Sequence, residues 1–346
     1  MSKKNIVSLS FLMHVCLLFS QAGYGVYSFL DLPVSSRLAA LGGSNVSLEE
    51  NDLSFAFLNP SMLKAETDNM LSLNIANYLA DIKFGSAMYS KNFGKKNYFA
   101  VGVQFVDYGL FKETNEINDI LGNFTAKDIA LNIIYARPLT NRITVGGTLK
   151  PIFSNFERYS SVGIALDAGV NYNNEDKFFS AGLVLRNIGK QIKAYYSDEY
   201  SQHFEPLAFD IQAGITKKLA HAPFRLSLTL HNLQHWDLSH NFLNSSISNI
   251  NSINASTDIK FVDMAFRHSI FGVEFIPSKN FYLVASYNHR RHQELSMPGF
   301  KSMAGFSFGG GIKLYKFQVG FGMSQFQVGN YSYQFSINTS LNEFRL

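Results

Sequence analysis

Two stretches near the end of the chain decide the fold class: Phe317-Gln-Val-Gly-Phe-Gly-Met323 and Tyr331-Ser-Tyr-Gln-Phe-Ser-Ile-Asn-Thr-Ser-Leu341. In both, large apolar side chains alternate with Gly, Ser, Gln or Asn, and Phe224-Arg-Leu-Ser-Leu-Thr-Leu-His231 alternates in the same way. A period of two places the two sets of side chains on opposite faces of a β-strand. Because the second face is small and polar, the pattern predicts strands with lipid on one side and a polar lumen on the other.

The composition agrees with a membrane barrel. Of the 346 residues, 46% are hydrophobic and only 16% are charged, and aromatic residues reach 14%. This charged fraction is low for a soluble protein, and the aromatic excess fits the girdles of a barrel exterior. A net charge of +4 without a long basic run argues against nucleic acid as a partner.

The first residues have the pattern of a secretory signal peptide. Lys3 and Lys4 form a basic region, Ile6–Phe19 is apolar, and Ser20-Gln21-Ala22 offers small residues for cleavage. The apolar run is too short for a spanning anchor, which needs about 20 residues. We therefore predict a signal peptide at 1–22, an N-terminal hatch at 23–69 and a transmembrane β-barrel at 70–346. Cys16, the single cysteine, lies in the predicted signal.

Alternating segments of nearly the length that spans a bilayer, ~9–11 residues, occur about fourteen times. Their predicted starts are Leu71, Ile82, Tyr98, Lys127, Arg142, Ser161, Lys177, Leu207, Pro223, Phe266, Asn280, Lys301, Lys316 and Tyr331. Short polar turns alternate with longer connections, the predicted long loops being Leu110–Ala126, Ser154–Ser160, Gly189–Pro206, His235–Ala265 and Arg290–Phe300. This alternation is typical of outer-membrane barrels, whose turns face the periplasm and whose loops face outward. The predicted fold class is all-β, a transmembrane antiparallel barrel of about fourteen strands with a small N-terminal hatch.

The hatch sequence differs from the strand pattern. Ser36–Gly43 predicts a short helix ending in glycine, and an apolar stretch surrounds Asn59-Pro60. Arg37 is followed by the acidic residues Glu49, Glu50 and Asp52. We predict that this segment folds into the barrel mouth as a plug, with Arg37, Asn59 and Pro60 as its key residues. Arg37 is interpreted either as a charge contact that holds the hatch or as part of a solvated helix face.

Several segments resemble the PorQ family, outer-membrane barrels of the Bacteroidetes type IX secretion system. They are Tyr27–Pro33, Ser36–Gly43, Leu58–Leu63, Gly182–Gly189 and Lys217–Arg225. The Ala-Leu-Gly-Gly and Asn-Pro elements also resemble PorV-like and fatty-acid-transporter-like barrels, whereas the Lys217–Arg225 turn and strand is the sharper match. The resemblance covers essentially the whole chain after the predicted signal.

The resemblance implies a fourteen-stranded barrel of the fatty-acid-transporter type in the outer membrane of a Gram-negative bacterium. It also implies a scaffold that holds a PorZ-like surface protein in the cargo attachment complex, beside PorU- and PorV-like proteins. Outer-membrane lipid and anionic lipopolysaccharide are further expected partners. The chemistry of that complex belongs to PorU, so we predict that this chain is not an enzyme. The alternative prediction is a channel for hydrophobic molecules, as in the fatty-acid transporters.

The loops supply the candidate partner-binding residues. Trp236, with His235 and Asp237 beside it, is interpreted either as an interfacial anchor or as a binding hot spot. Arg290 and Arg291 could pair with lipopolysaccharide phosphates or acidic partner groups, or could lie in an ordinary exposed basic loop. The sequence predicts no catalytic, cofactor-binding or metal site, since no nucleophile motif or complete set of metal ligands occurs.

Overall fold

The computed structural model describes residues 25–79, 81–94, 96–117, 119–196, 203–238, 261–295, 303–327 and 330–344. The predicted signal peptide lies outside these residues, as does most of the loop after Leu238. Within the described ranges, no helix combines the length and the apolar character needed to cross a membrane.

Fourteen antiparallel strands form one closed barrel, in which each strand pairs with its sequence neighbours and β1 closes the barrel against β14. The strands are β1 (Met70–Asn77), β2 (Lys83–Phe93), β3 (Asn97–Thr114), β4 (Ile120–Pro138), β5 (Ile143–Phe156), β6 (Tyr159–Asn174), β7 (Phe179–Lys193), β8 (Asp210–Lys218), β9 (Phe224–Leu230), β10 (Ser269–Ser278), β11 (Phe281–Asn288), β12 (Phe306–Leu314), β13 (Phe317–Gln327) and β14 (Asn330–Ser340). The α-helices are α1 (Ser36–Ala40), α2 (Phe261–Arg267) and α3 (His289–Leu295). Short 3-10 helices lie at Ser28–Asp31, Leu53–Phe57, Pro60–Met62, Ala65–Thr67, Glu175–Lys177 and Leu341–Phe344.

The predicted fold class is confirmed, and so is the alternation of strand faces. On β14, Phe335 is 53% exposed, while the flanking Gln334 and Ser336 are buried. The outer surface is therefore apolar and the inner surface polar, which fits a barrel that stands in an outer membrane.

Two of the predicted long loops are wrong. Leu110–Ala126 is mostly strand, because β3 continues to Thr114 and β4 begins at Ile120, so the two form a long hairpin. Ser154–Ser160 is likewise a tight connection between β5 and β6. These strands are longer than the ~9–11 residues that span a bilayer, so they continue as paired β-structure beyond the lipid. The loops that remain long join β7 to β8, β9 to β10 and β11 to β12.

The hatch, of which residues 25–69 are described, runs through the lumen from one end of the barrel to the other. Val26 forms a parallel bridge with Leu207, in the long connection between β7 and β8, at what we call the loop end. Met70 starts β1 at the opposite end, the turn end, where the short turns lie. By the rule for outer-membrane barrels, the loop end faces the cell surface and the turn end faces the periplasm.

Local capping and packing explain the shape of the hatch. The Ser35 hydroxyl accepts a hydrogen bond from the backbone N–H of Leu38 (3.3 Å) and so caps α1, which is one turn of the helix predicted at Ser36–Gly43. Leu38 and Phe55 are fully buried in an apolar cluster formed with wall residues such as Ile134. Burying such side chains contributes about 1.5–3 kcal/mol each, so packing orders a segment with little regular structure of its own.

Candidate functional site

Four charged side chains join the hatch to the barrel wall, and we call them the latch: Arg37, Glu50, Arg225 and Glu274. Arg37 on α1 donates from Nε to Glu274 Oε1 on β10 at 3.0 Å, and its Nη2 lies 2.9 Å from the same oxygen. Arg225 on β9 donates from Nε to Glu274 Oε2 at 2.6 Å and from Nη1 to Glu50 Oε1 at 2.8 Å. Glu50 lies 3.9 Å from Arg37 and closes the ring of alternating charges.

Three of the four latch side chains are buried, and the fourth, Glu50, is 35% exposed. The side chains of Arg37, Glu274 and Arg225 are 2%, 1% and 6% exposed. Arg37 also stands over the ring of Tyr282, 4.1 Å from its centroid, in a cation–π contact. Removing one partner from such a network is strongly destabilising, because it leaves a charge that water cannot reach.

The arginines of the latch lower the pKa of Glu50 in the hatch. Burial alone would raise the pKa of Glu50, but Arg37 and Arg225 lower it to about 2. The carboxylate therefore contributes stability at pH values above its ordinary pKa, and this contribution is lost as the pH falls through about 2. Glu50 therefore stays ionised at neutral pH.

The predicted charge contact of Arg37 exists, but its main partner was missed. Glu274 is the closer partner, whereas Glu49 pairs with Lys64 at 3.3 Å. The sequence does contain a signal for Glu274, since it is a lone carboxylate inside the apolar strand Phe271-Gly-Val-Glu-Phe275. An ionisable residue within a membrane-spanning strand has to face inward and find a partner.

Asn59 and Pro60 lie where the hatch approaches the wall most closely. Asn59 is fully buried, donates from Nδ2 to the carbonyl of Val46 at 2.9 Å and accepts from the backbone N–H of Ser61 at 3.1 Å. A Cβ atom at Gly169 on β6 would lie 2.1 Å from Asn59 Oδ1, and one at Gly182 on β7 would lie 1.9 Å from Val46 O. Glycine in the wall is therefore what lets the hatch backbone fit at this level.

A second buried ion pair lies nearer the loop end. Lys150 Nζ on β5 is 2.5 Å from Asp167 Oδ2 on β6, and both side chains are fully buried. The contact between Lys150 Nζ and Asp167 Oδ2 is an ion pair without the geometry of a hydrogen bond. The Lys150 ammonium donates a hydrogen bond to Asn187 Oδ1 at 3.1 Å. Asp167 Oδ1 accepts from the backbone N–H of Asn187 at 2.8 Å. Next to Asn187, Arg186 donates to the carbonyl of Leu30 at 2.8 Å and so holds the hatch at this level.

Apolar side chains of hatch and wall meet at the loop end, and we call this set the loop-end cluster. Its buried members are Val26, Tyr27, Phe29, Leu30, Ala76, Phe84, Val106, Ala130, Ile152, Ala165 and Leu207. The partly buried side chains of Leu32, Tyr78, Ile82, Tyr108 and Tyr195 pack around it. The cluster gives the loop end an apolar and aromatic interior.

The predicted loop residue Trp236 belongs to an apolar platform on the outside of the loop end. Its indole stacks on Phe261 of α2 (ring centroids 5.0 Å apart) and on His268 (5.2 Å). Trp236, Phe261 and Val262 are 51%, 72% and 62% exposed. Beside Trp236, Asp237 is exposed, and the backbone N–H of His235 donates to the carbonyl of Asn232 at 3.1 Å. We call Trp236, Phe261, Val262 and Phe266 the platform.

Of the two interpretations of Arg290 and Arg291, the exposed basic loop is wrong, because both residues lie on the helix α3 and are only partly exposed. Arg290 donates from Nε to Glu294 Oε1 at 2.6 Å and from Nη1 to Asn232 Oδ1 at 3.0 Å. Arg291 points toward the hatch, since a Cβ atom at Gly43 would lie 2.9 Å from its Nη2. Internal contacts therefore hold these guanidinium groups.

Two neighbouring cavities open at the turn end. The larger has a volume of about 870 Å³ and extends from Arg37 and Glu50 of the latch to the turns after β10 and β12. The smaller, of about 440 Å³, lies between Glu49 and Lys64 of the hatch and the turn between β6 and β7. Asn51, Glu66 and Lys218 line both cavities. The turn end is thus polar and open, in contrast to the apolar loop end.

No family model and no curated protein sequence matches this chain. Its fold is similar to that of the toluene transporter TbuX from Ralstonia pickettii, with a TM-score of 0.52, 9% identity and coverage of 91% of this chain and 100% of TbuX. It is also similar to the toluene transporter TodX from Pseudomonas putida, with a TM-score of 0.51, 10% identity and coverage of 89% and 97%. At such low sequence identity, the similarity to these structures supports only a shared fold. The chain is therefore an outer-membrane β-barrel with the fold of these transporters.

Proposed function

We propose that this protein is a hatch-gated outer-membrane channel for small hydrophobic molecules. The observation that carries the proposal is the loop-end cluster, where apolar residues of the hatch meet apolar residues of the wall on the side that faces the cell surface. A hydrophobic molecule gains free energy by leaving water for such an interior. The turn end, in contrast, has a polar and open cavity into which a molecule could be released. TbuX and TodX, which share the fold, are toluene transporters.

We expect transport through this barrel to require movement of the hatch, since the hatch runs through the lumen and packs against the wall in two apolar clusters. Many of its contacts to the wall are hydrogen bonds of small side chains, such as Ser47 Oγ to Thr216 Oγ1 at 2.8 Å and Ser44 Oγ to Gln212 Oε1 at 2.6 Å. Each contributes only about 0.5–1.5 kcal/mol, because water can replace it. Such contacts allow movement once the latch is released.

A disulfide between hatch and wall tests the proposal. The paired hydroxyls make Ser47→Cys/Thr216→Cys a suitable crosslink, and the chain has no cysteine besides Cys16 of the predicted signal. We expect the oxidised variant to lose uptake of radiolabelled toluene in proteoliposomes or whole cells, and dithiothreitol to restore it. The control, Ser54→Cys, carries a single thiol and should transport normally under both conditions. Full uptake by the crosslinked protein would contradict gating by the hatch.

A second function, a surface scaffold, is favoured by the platform. Exposed Trp236, Phe261 and Val262 form an apolar surface at the loop end, and exposed apolar patches on folded proteins often bind partners. The resemblance to the PorQ family implies which partners such a scaffold would have. It would hold a PorZ-like surface protein in the attachment complex, near PorU- and PorV-like proteins and anionic lipopolysaccharide. In this hypothesis the closed lumen is permanent, and the barrel serves only as an anchor.

Co-purification from native membranes separates the two functions. If the platform holds a surface protein, Phe261→Ser/Val262→Ser should release that protein into the medium while the barrel keeps its heat-modifiable mobility. The crosslinked variant should then retain the partner fully, because an anchor needs no hatch movement. Retention of all co-purifying surface proteins by the platform variant would contradict the scaffold.

A further inference from the structure

Lysines from three successive turns surround the larger turn-end cavity. Lys218 ends β8, Lys279 lies between β10 and β11, and Lys313 and Lys316 flank the turn between β12 and β13. Lys218 and Lys279 are exposed. All four residues line the cavity, and the Lys316 ammonium lies over the rings of Phe344 (4.6 Å) and Tyr315 (5.1 Å) at its edge. This sector of the turn end therefore presents a rim of positive charge.

Acidic residues offset this charge only in part. Glu343 lies 3.4 Å from Lys313, and Glu50 is held by the arginines of the latch. Among the described residues that line this cavity, Glu66 is the remaining carboxylate. Between the lysines, the wall carries neutral hydrogen-bonding groups from Ser278, Asn280, Gln318, Asn338, Thr339 and Ser340. The cavity therefore combines a cationic rim with polar walls, which suits an anionic ligand.

The arrangement of the lysines indicates what kind of anion fits. A single phosphate group needs donors that converge on one point, whereas these lysines are distributed over three turns. They surround one cavity that opens at the turn end and is shared with Arg37 and Glu50 of the latch. A volume of about 870 Å³ is in the range of sites that bury a ligand much larger than an ion.

We propose that this cavity binds an acidic, extended peptide segment of a periplasmic protein. The carboxylates of the segment pair with Lys218, Lys279 and Lys316, and its backbone meets the amide and hydroxyl groups of the wall. This docking site lies at the end of the barrel opposite the platform. It does not rest on the proposed channel, because a channel and an anchor could both carry it.

Fluorescence anisotropy with the full-length protein in detergent micelles tests the site. The probe is fluorescein-labelled hexaglutamate, with hexaglutamine as the uncharged reference. The variant Lys218→Gln/Lys279→Gln/Lys316→Gln removes the rim charges, and Lys112→Gln/Lys190→Gln/Lys193→Gln removes the same charge at the loop end. We expect each rim lysine to contribute about twofold to fivefold in affinity, so the variant that lacks three of them should bind about 8-fold to 125-fold more weakly. The control variant should bind like the parent protein, and binding should weaken as salt is raised.

Three results would overturn the proposal. The first is hexaglutamate binding that is no tighter than hexaglutamine binding. The second is an equal loss of affinity in the rim variant and the loop-end control, which would indicate attraction to net charge alone. The third is displacement of the probe by inorganic phosphate at the same concentration as unlabelled hexaglutamate, which would assign the cavity to a phosphate group. Heat-modifiable mobility of each variant shows that the barrel is folded before binding is compared.

Discussion

Glu274→Gln should detach the hatch from the barrel wall and make the closed barrel permeable. The substitution removes the carboxylate that lies between Arg37 and Arg225, so two buried guanidinium groups are left with Glu50 as their only counter-charge within the latch. Breaking a buried ion network in this way costs about 3–5 kcal/mol. Because the strand ladder does not depend on Glu274, we expect the barrel to stay closed as a sheet while the hatch loosens.

Two measurements follow this loosening. Ion conductance in planar bilayers should rise from a closed baseline, and protease added at the turn end should cut within residues 25–69 while leaving the strands intact. The matched control is Glu294→Gln on α3, which removes the same charge from a partly exposed pair with Arg290 on the same helix. Such a pair contributes only about 0.3–0.5 kcal/mol, so this variant should remain closed. Equal behaviour of the two variants would show that the latch does not hold the hatch.

Lys150→Met should destabilise the wall itself by about 3–5 kcal/mol, because it leaves the Asp167 carboxylate buried without its cation. Methionine keeps much of the volume of the lysine chain, so the loss reflects charge rather than a cavity. The effect should appear as a lower urea midpoint for unfolding of the barrel in detergent or lipid.

A double variant distinguishes the ion pair from general packing. Lys150→Met/Asp167→Leu removes both charges, and replacing a whole buried ion pair by apolar groups is often neutral or stabilising. The double variant should therefore recover most of the stability that Lys150→Met loses, with a coupling energy that identifies the pair. A double variant as unstable as the sum of the two single variants would contradict this assignment.

The sequence predicted the wall of the barrel better than its ends. The starts of most strands agree within about three residues, because a strand that faces lipid on one side has to keep its period of two. The prediction failed at Leu110–Ala126, where β3 and β4 continue as a paired hairpin. Beyond the lipid, no apolar solvent enforces alternation, so a strand there resembles a loop in sequence.

The prediction of the site was less complete. Arg37, Asn59 and Pro60 were assigned to the hatch, and all three are buried in its contacts with the lumen. The partner of Arg37 was sought among nearby acids, whereas Glu274 lies 237 residues away. Arg290 and Arg291 were assigned to an outward loop, whereas the helix α3 places the Arg290 guanidinium against Asn232 and that of Arg291 near Gly43. The partner-binding roles of Trp236, His235, Asp237, Arg290 and Arg291 stay predictions.

The sequence by itself determined that this chain forms an outer-membrane barrel. Each strand has lipid on its outer face and a polar lumen on its inner face, so the alternation in Tyr331–Leu341 and its thirteen counterparts is a local property of each strand. Only the tertiary structure decided which inward residues meet the hatch. Closure of the barrel brings Glu274, Arg225 and Arg37 together from distant parts of the chain. A local sequence pattern does not show which residues far apart in the chain will be in contact. The same closure brings lysines from three separate turns to one cavity, because the turns of different hairpins lie together at one end of the barrel.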